Sequence, residues 1–206
     1  MTIQTDHPPV ESALDNPLLR RAFNVPNAIT LSRLILAGVL FWMIDKAIYW
    51  QAATWLFVIA AATDFLDGYI ARKYGLVTVL GRIMDPFVDK IIICGAFIFL
   101  MDHPNSGVGP WMVIAVIGRE MFVTSLRSFL EQQGKDFSAS LSGKLKMLLQ
   151  CAAVTACLVT FAASTETQET LVPIRDVLLW SAVAVTVWSG AIYIVRAFQL
   201  LKGTKA

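Results

Sequence analysis

The sequence predicts an all-α integral membrane protein with six transmembrane helices and a short N-terminal interfacial helix. Hydrophobic residues make up 56% of the 206 residues, charged residues make up only 16%, and the mean hydropathy is +0.63. This composition is far more apolar than that of a soluble domain. We expect a cytoplasmic or interfacial segment over residues 1–23 and one six-helix transmembrane domain over residues 24–202.

Six apolar segments are long enough to cross a bilayer, which takes about 20 helical residues. With the usual uncertainty at element ends, they run roughly over 27–45, 50–73, 83–102, 110–131, 141–164 and 173–200. Pro110 and Pro173 stand where the fourth and sixth helices should begin, because proline is tolerated in a first helical turn. Before them, Val10–Phe23 mixes leucines with two arginines, which is typical of a helix lying on a membrane surface. A partly ordered tail is the alternative for that segment.

Lysine and arginine are unevenly distributed between the connections. They gather at the N-terminus, in the second and fourth connections and at the C-terminus: Arg20, Arg21, Arg72, Lys73, Arg82, Lys135, Lys144, Lys202 and Lys205. The positive-inside rule therefore predicts that both termini and these two connections are cytoplasmic. No basic start followed by an apolar stretch is present, so we do not expect a cleaved signal peptide.

The remaining composition excludes several function classes. A net charge of +2 without a basic run argues against nucleic-acid binding. The three cysteines, Cys94, Cys151 and Cys157, lie in apolar segments and lack metal-ligand spacing, so they are interpreted as small core residues. No Ser/His/Asp or Cys/His set suggests a protein nucleophile.

Four aspartates stand close together in this apolar chain: Asp64, Asp67, Asp85 and Asp89. An ionised aspartate inside a membrane helix is costly, so such residues indicate a functional site. The first pair is spaced i, i+3 and the second i, i+4, so each pair shares one helix face. Two adjacent antiparallel helices can direct both pairs into one cavity. Divalent cations are the economical reason to gather these charges, and they suggest a phosphate-bearing substrate.

Glycines and an arginine accompany the aspartates. Gly68 and Gly81 leave room for close approach, and Arg72 supplies planar donors that suit phosphate. Each residue also has a structural explanation, since small residues favour helix contacts and an arginine can pair with Asp67. The spacing as a whole favours the functional explanation.

The pattern D-x2-D-G-x2-A-R-x8-G-x3-D-x3-D, from Asp64 to Asp89, resembles the signature of the CDP-alcohol phosphotransferase family. Its eight fixed residues over 26 positions make a specific match. The resemblance implies six transmembrane helices, a homodimer, and a cavity open to the cytosol and to lipid. It also implies that a CDP-linked donor passes its phosphatidyl group to an alcohol and releases CMP.

The same resemblance implies roles for individual residues. Asp64, Asp67 and Asp85 would ligate two divalent cations, Mg²⁺ or Mn²⁺, while Asp89 would join the metal site and act as general base. The residues implied to contact the CDP part are Gly68, Ala71, Arg72 and Gly81.

Cationic residues in the predicted fourth and fifth helices bear on the acceptor alcohol: Arg119, Arg127, Lys144 and Lys146. Several cations at the cytoplasmic half of a membrane cavity suggest an acceptor that itself carries phosphate. Alternatively, Arg127 and the two lysines extend to the lipid headgroups. Arg119 lies mid-segment beside Glu120, and we expect the two to neutralise each other in part.

These segments also resemble the phosphatidylglycerophosphate synthase branch of the family. The resemblance rests on Ile117–Glu120, Ser125–Arg127, Gly143–Gln150 and Val25–Arg33, and Met147 departs from it where threonine is usual. It implies that CDP-diacylglycerol reacts with sn-glycerol 3-phosphate, and the four cations above are the candidates to bind the phosphate of this acceptor. Further residues that could touch substrate are Asn27, Thr30 and Arg33.

Three alternatives remain. The same chemistry could act on inositol phosphate or on phosphatidylglycerol. From another class, four membrane aspartates could line the path of a divalent-cation transporter, although Arg72 would oppose cation passage and the predicted outer connections carry only scattered acids. We expect a location in a bacterial inner membrane, with the site facing the cytoplasm.

Overall fold

A computed structural model describes residues 25–74, 79–133 and 141–202, although the side chains at 25–27, 29, 64–74, 79–83, 85–86, 141–142 and 201–202 lie outside the description. The described chain is all-helical. Its helices are α1 Val25–Asp45, α2 Trp50–Tyr74, α3 Val79–Met101, α4 Pro110–Gln132, α5 Leu141–Ala162 and α6 Thr165–Lys202. The predicted interfacial helix within residues 1–23 lies outside the described residues.

The last helix corrects one prediction. Pro173 does not begin α6 but lies inside it, because the helix already starts at Thr165. The Ser164 carbonyl accepts the amides of Thr167 and Gln168, both at 2.9 Å, and so opens the first turn. A proline inside a helix has no amide hydrogen to donate to the carbonyl four residues earlier. Here that carbonyl belongs to the exposed Glu169. By contrast, Pro110 does open α4, directly after Gly109.

The helices pack as a closed ring in the order α1, α2, α5, α6, α4, α3, with an additional contact between α3 and α5. Regular spacing of apolar residues builds the centre of this ring. On α3, Val88, Ile92, Ala96 and Leu100 recur every fourth residue and are all buried, since such residues share one helix face. They belong to one core cluster with α1, α2, α4, α5 and α6 residues.

The outside of the bundle is also apolar. Large side chains such as Trp55, Trp111, Leu148 and Trp180 are well exposed, and many exposed large apolar side chains are typical of a protein that contacts lipid or a partner protein. Within the described residues, Gly143–Ala162 and Thr165–Leu200 are long and apolar enough to cross a membrane, judged by length and composition.

At one end of the bundle, α6 is hydrogen-bonded to the connection between α3 and α4. The buried Arg175 of α6 donates to the Asn105 carbonyl and to Asp176. Gly107 has φ +77°, which favours glycine, and a Cβ there would lie 3.0 Å from Arg175 Nε. α6 is thereby held at the end opposite to the one where α2 meets α3.

Candidate active site

The four signature aspartates lie on two consecutive helices. Asp64 and Asp67 are near the C-terminal end of α2, and Asp85 and Asp89 are near the N-terminal end of α3. Because only residues 75–78 separate the two helices, all four positions belong to the same end of the bundle. The side chains of Asp64, Asp67 and Asp85 lie outside the description, so their convergence on a metal site stays a prediction. The same holds for Gly68, Ala71, Arg72, Gly81 and Asn27.

Asp89 is paired with an arginine from the first helix. Arg33 Nη2 donates to Asp89 Oδ1 at 2.6 Å, and the arginine side chain is only 3% exposed. The aspartate side chain keeps 27% exposure. A carboxylate accepts hydrogen bonds through both of its oxygens, so the ion pair with Arg33 uses only part of the acceptor capacity of Asp89. Thr30, one turn before Arg33, is buried as well.

A buried cluster of two cations and one carboxylate lies on α4 and α5. Glu120 Oε1 accepts a hydrogen bond from Lys146 Nζ and another, at 3.2 Å, from Arg119 Nη1. All three side chains are at most 10% exposed. Lys146 is therefore buried in this cluster. It does not extend to the lipid headgroups, which was the alternative for this lysine. Arg119 and Glu120 do pair with each other, as the sequence suggested.

Asp89 lines one cavity of about 150 Å³ between α3, α4 and α5 together with two members of this cluster, Glu120 and Lys146. The lining residues are Asp89, Lys90, Ile93, Glu120, Lys146, Met147 and Gln150. A carboxylate can take a proton from a hydroxyl, and an ammonium can hold a phosphate. The cavity therefore brings together the two kinds of group that an alcohol carrying phosphate would need.

The arginines of α4 are held by α6. Arg119 Nη2 donates to Ser189 Oγ at 2.8 Å, and Arg127 Nη2 donates to the Tyr193 hydroxyl at 3.4 Å. The Tyr193 ring also lies under Arg119, with 5.4 Å between Cζ and the ring centroid. Sequence reasoning missed these α6 residues. The available signal was their helical spacing: Thr186, Ser189 and Tyr193 put hydroxyls on one face of an apolar helix.

Lys144 behaves differently from the other predicted acceptor ligands. It is exposed and does not line the cavity, whereas Lys146, two residues later, does. Positions two apart on a helix point to opposite sides. Arg119 and Arg127 also lie outside the cavity lining, although the Nε of each is buried and has no hydrogen-bond partner among the described residues.

A sequence model of the CDP-alcohol phosphatidyltransferase family matches residues 23–188. The chain is 36% identical over 194 residues to the CDP-diacylglycerol–glycerol-3-phosphate 3-phosphatidyltransferase of Bacillus subtilis, covering 87% of this chain and 98% of the relative. The protein of the same name from Rickettsia typhi is 34% identical over 172 residues, covering 82% and 94%.

A relative with another name is similar over a comparable stretch. The CMP-forming cardiolipin synthase of Oryza sativa is 29% identical over 195 residues, covering 88% of this chain and 59% of the relative. The family match spans the aspartate signature, Arg33 and the cluster around Glu120. The chain therefore belongs to the CDP-alcohol phosphatidyltransferase family.

Proposed function

We propose that the protein transfers the phosphatidyl group of CDP-diacylglycerol to sn-glycerol 3-phosphate, giving phosphatidylglycerophosphate and CMP. The observation that carries the proposal is the cavity that Asp89 shares with Lys146 and Glu120. Two relatives that each match more than four fifths of this chain are named for this transfer.

In this reaction, Asp89 and Arg33 would have separate roles. Asp89 takes the proton of the acceptor hydroxyl as the oxygen of that hydroxyl forms a bond to the phosphorus of the phosphatidyl group. The bond from that phosphorus to the CMP oxygen breaks, and CMP leaves with the electron pair. Arg33 donates to one Asp89 oxygen at 2.6 Å, which fixes the orientation of the carboxylate for the proton transfer.

Two divalent cations, Mg²⁺ or Mn²⁺, would be held by Asp64, Asp67, Asp85 and Asp89. Carboxylate oxygens are ligands that both ions prefer, and Asp89 presents a partly exposed carboxylate to the cavity, which fits a cation there. When bound, the ions neutralise charge on the two phosphates of the donor and on the leaving CMP. Gly68, Ala71, Arg72 and Gly81 would hold the CDP part.

The cluster around Glu120 suits a phosphorylated acceptor. Arg119 and Lys146 are two cations against one carboxylate, so the cluster keeps a positive charge, and Arg127 adds another from the same helix as Arg119. A phosphate dianion is the complementary ligand. Lys144, which is exposed, would act at the entrance or with the headgroups.

We further propose a membrane arrangement for the chain. All six helices have at least 21 residues, and at 1.5 Å per residue such a helix spans about 30 Å. The six would cross the membrane, with the site and both termini cytoplasmic and residues 1–23 on the surface of a bacterial inner membrane. A homodimer is proposed on the family resemblance.

The test is CMP release by purified protein in detergent with CDP-diacylglycerol and Mg²⁺. Separate reactions receive glycerol 3-phosphate, inositol phosphate, inositol, serine or phosphatidylglycerol. Release with glycerol 3-phosphate alone supports the proposal. Release with phosphatidylglycerol alone would favour the reaction named for the rice relative. If folded protein releases CMP with none of these acceptors, the proposed transfer is refuted. A divalent-cation transporter is then the favoured alternative.

A further inference from the structure

We propose that Tyr193 of α6 is a positioning residue that holds Arg119 and Arg127 together for the phosphate of the acceptor. The inference rests on the proposed function and deepens it, because it assigns part of acceptor recognition to the last helix. Tyr193 lies beyond residue 188, where the match to the family model ends.

Tyr193 contacts both arginines in different ways. Its hydroxyl accepts a hydrogen bond from Arg127 Nη2 at 3.4 Å. Its ring lies 5.4 Å from Arg119 Cζ, a distance at which a guanidinium is attracted to the face of an aromatic ring. The tyrosine is only 1% exposed, so both contacts are formed in the interior, where one rigid side chain fixes the separation of two cations.

Neighbouring residues extend the same polar face of α6. Thr186, Ser189 and Tyr193 are all buried, and their spacing places them on one side of the helix. Ser189 accepts from Arg119 at 2.8 Å, and Thr186 accepts from Gln150 Nε2 at 3.0 Å. Gln150 lines the cavity next to Asp89. This face of α6 therefore reaches the site through residues of both α4 and α5.

The chemistry of these partners explains why they suit an anion site. A further carboxylate opposite either arginine would orient it but would also cancel its charge and compete with phosphate, as Glu120 already does in part for Arg119. Hydroxyls and an aromatic face orient a guanidinium while its charge remains. Arg119 Nε and Arg127 Nε are buried without a hydrogen-bond partner among the described residues. Each arginine thus has one buried donor that is not used by any described residue.

The test compares Tyr193→Phe and Tyr193→Leu with the unchanged protein in steady-state CMP release. Loss of the hydroxyl should raise the KM for glycerol 3-phosphate about 3- to 10-fold, as expected for one hydrogen bond. Loss of the ring as well should raise it further, to about 30-fold. The KM for CDP-diacylglycerol and kcat should stay within about twofold, since removing a ground-state contact leaves the chemical step unchanged.

Thr160→Val is the matched control. Thr160 is buried in α5 and its hydroxyl donates to the Ala156 carbonyl of its own helix, so the variant loses a buried hydroxyl away from the arginines. Both KM values should be unchanged. In an Arg127→Ala background, Tyr193→Phe should add less than twofold to the KM for glycerol 3-phosphate, because the tyrosine hydroxyl acts through that arginine.

Three outcomes would overturn the inference: an unchanged KM for glycerol 3-phosphate in both tyrosine variants, an equal rise for both substrates, or a full additional effect in the Arg127→Ala background. Wild-type protein is assayed first. If it shows no activity with glycerol 3-phosphate, the proposed function fails and the inference fails with it. If wild-type protein is active and the variants keep its KM, the inference alone is refuted.

Discussion

Arg33 on α1 and Asp89 on α3 form an ion pair in which 2.6 Å separates Nη2 from Oδ1. The arginine is buried, whereas the aspartate faces the cavity that also contains Lys146. The first described helix therefore contacts the residue proposed as general base. This relationship and the charged cluster on α4 and α5 lead to the predictions below.

Asp89→Asn should lower kcat about 10²- to 10⁴-fold, which is the usual contribution of a general base. The amide oxygen can still accept from Arg33, so the fold and the binding of CDP-diacylglycerol should be largely preserved. CMP release measures turnover, and a donor-induced rise in melting temperature measures binding. Asp45→Asn, at an exposed residue outside the cavity lining, is the control. Near-normal turnover in Asp89→Asn would rule out the base role.

Arg33→Lys should lower kcat about 10- to 100-fold, because a hydrogen bond to a charged group contributes about 1.5–3 kcal/mol. Lysine keeps the charge but loses the planar donors that fix the carboxylate. The KM of each substrate should change little. Arg196→Lys, at an exposed position of α6, provides the comparison. A KM effect confined to one substrate would instead mean that Arg33 touches that substrate.

Glu120→Gln should destabilise the protein by about 3–5 kcal/mol, since it leaves two buried cations without their carboxylate. The midpoint of unfolding in detergent measures the loss, and Glu169→Gln, at an exposed residue, is the control. The double variant Glu120→Gln, Lys146→Met removes one of the two cations and should recover part of the stability. If the double variant lost the sum of the two single losses, Glu120 and Lys146 would not act as a pair.

Gly95→Ala should weaken the packing of α3 against α1. A Cβ at Gly95 would overlap the Phe41 ring, and that ring is stacked on Phe99 at 5.1 Å. Overpacking of this kind costs about 1–3 kcal/mol. Gly38→Ala, where a Cβ would meet nothing within 4 Å, should leave the melting temperature unchanged or slightly higher. Equal melting temperatures for the two variants would contradict the predicted overlap.

Chelation of divalent cations should abolish CMP release, and added Mg²⁺ or Mn²⁺ should restore it. Asp64→Asn and Asp85→Asn should each raise the cation concentration needed for half-maximal activity by about tenfold or more, because each removes a charged ligand. The Asp45→Asn variant should titrate like the unchanged protein. Full activity in excess chelator would argue against a metal-dependent transfer.

The helices were largely predictable from the sequence, because apolar segments of the right length are local signals. α2 and α4 end within one residue of the predicted bounds. α6 begins eight residues before the predicted start, since a serine at position 164 opens the helix before Pro173 is reached. The aspartate pattern could also be recognised from a short stretch of sequence, although three of its four aspartate side chains lie outside the description.

The pairing of charges could not be predicted in the same way. Arg33 and Asp89 are 56 residues apart in the chain, and Glu120 and Lys146 are 26 apart. Which partners meet depends on how the helices are arranged around the ring. Lys144 and Lys146 carry equal charge in the same segment, and only the rotation of α5 about its axis decides that Lys146 is buried while Lys144 is exposed.

The dependence of Arg119 and Arg127 on α6 has a consequence for biosynthesis. α6 is the last of the six helices to leave the ribosome, whereas α1 to α5 already carry the aspartates, Arg33 and Glu120. Until Ser189 and Tyr193 have been inserted, the two arginines of α4 lack the partners that orient them. A nascent chain that ends before α6 would therefore hold its aspartates, whereas the two arginines proposed to meet the acceptor phosphate would lack their contacts to α6. The protein would become able to catalyse the proposed reaction only once α6 has been translated.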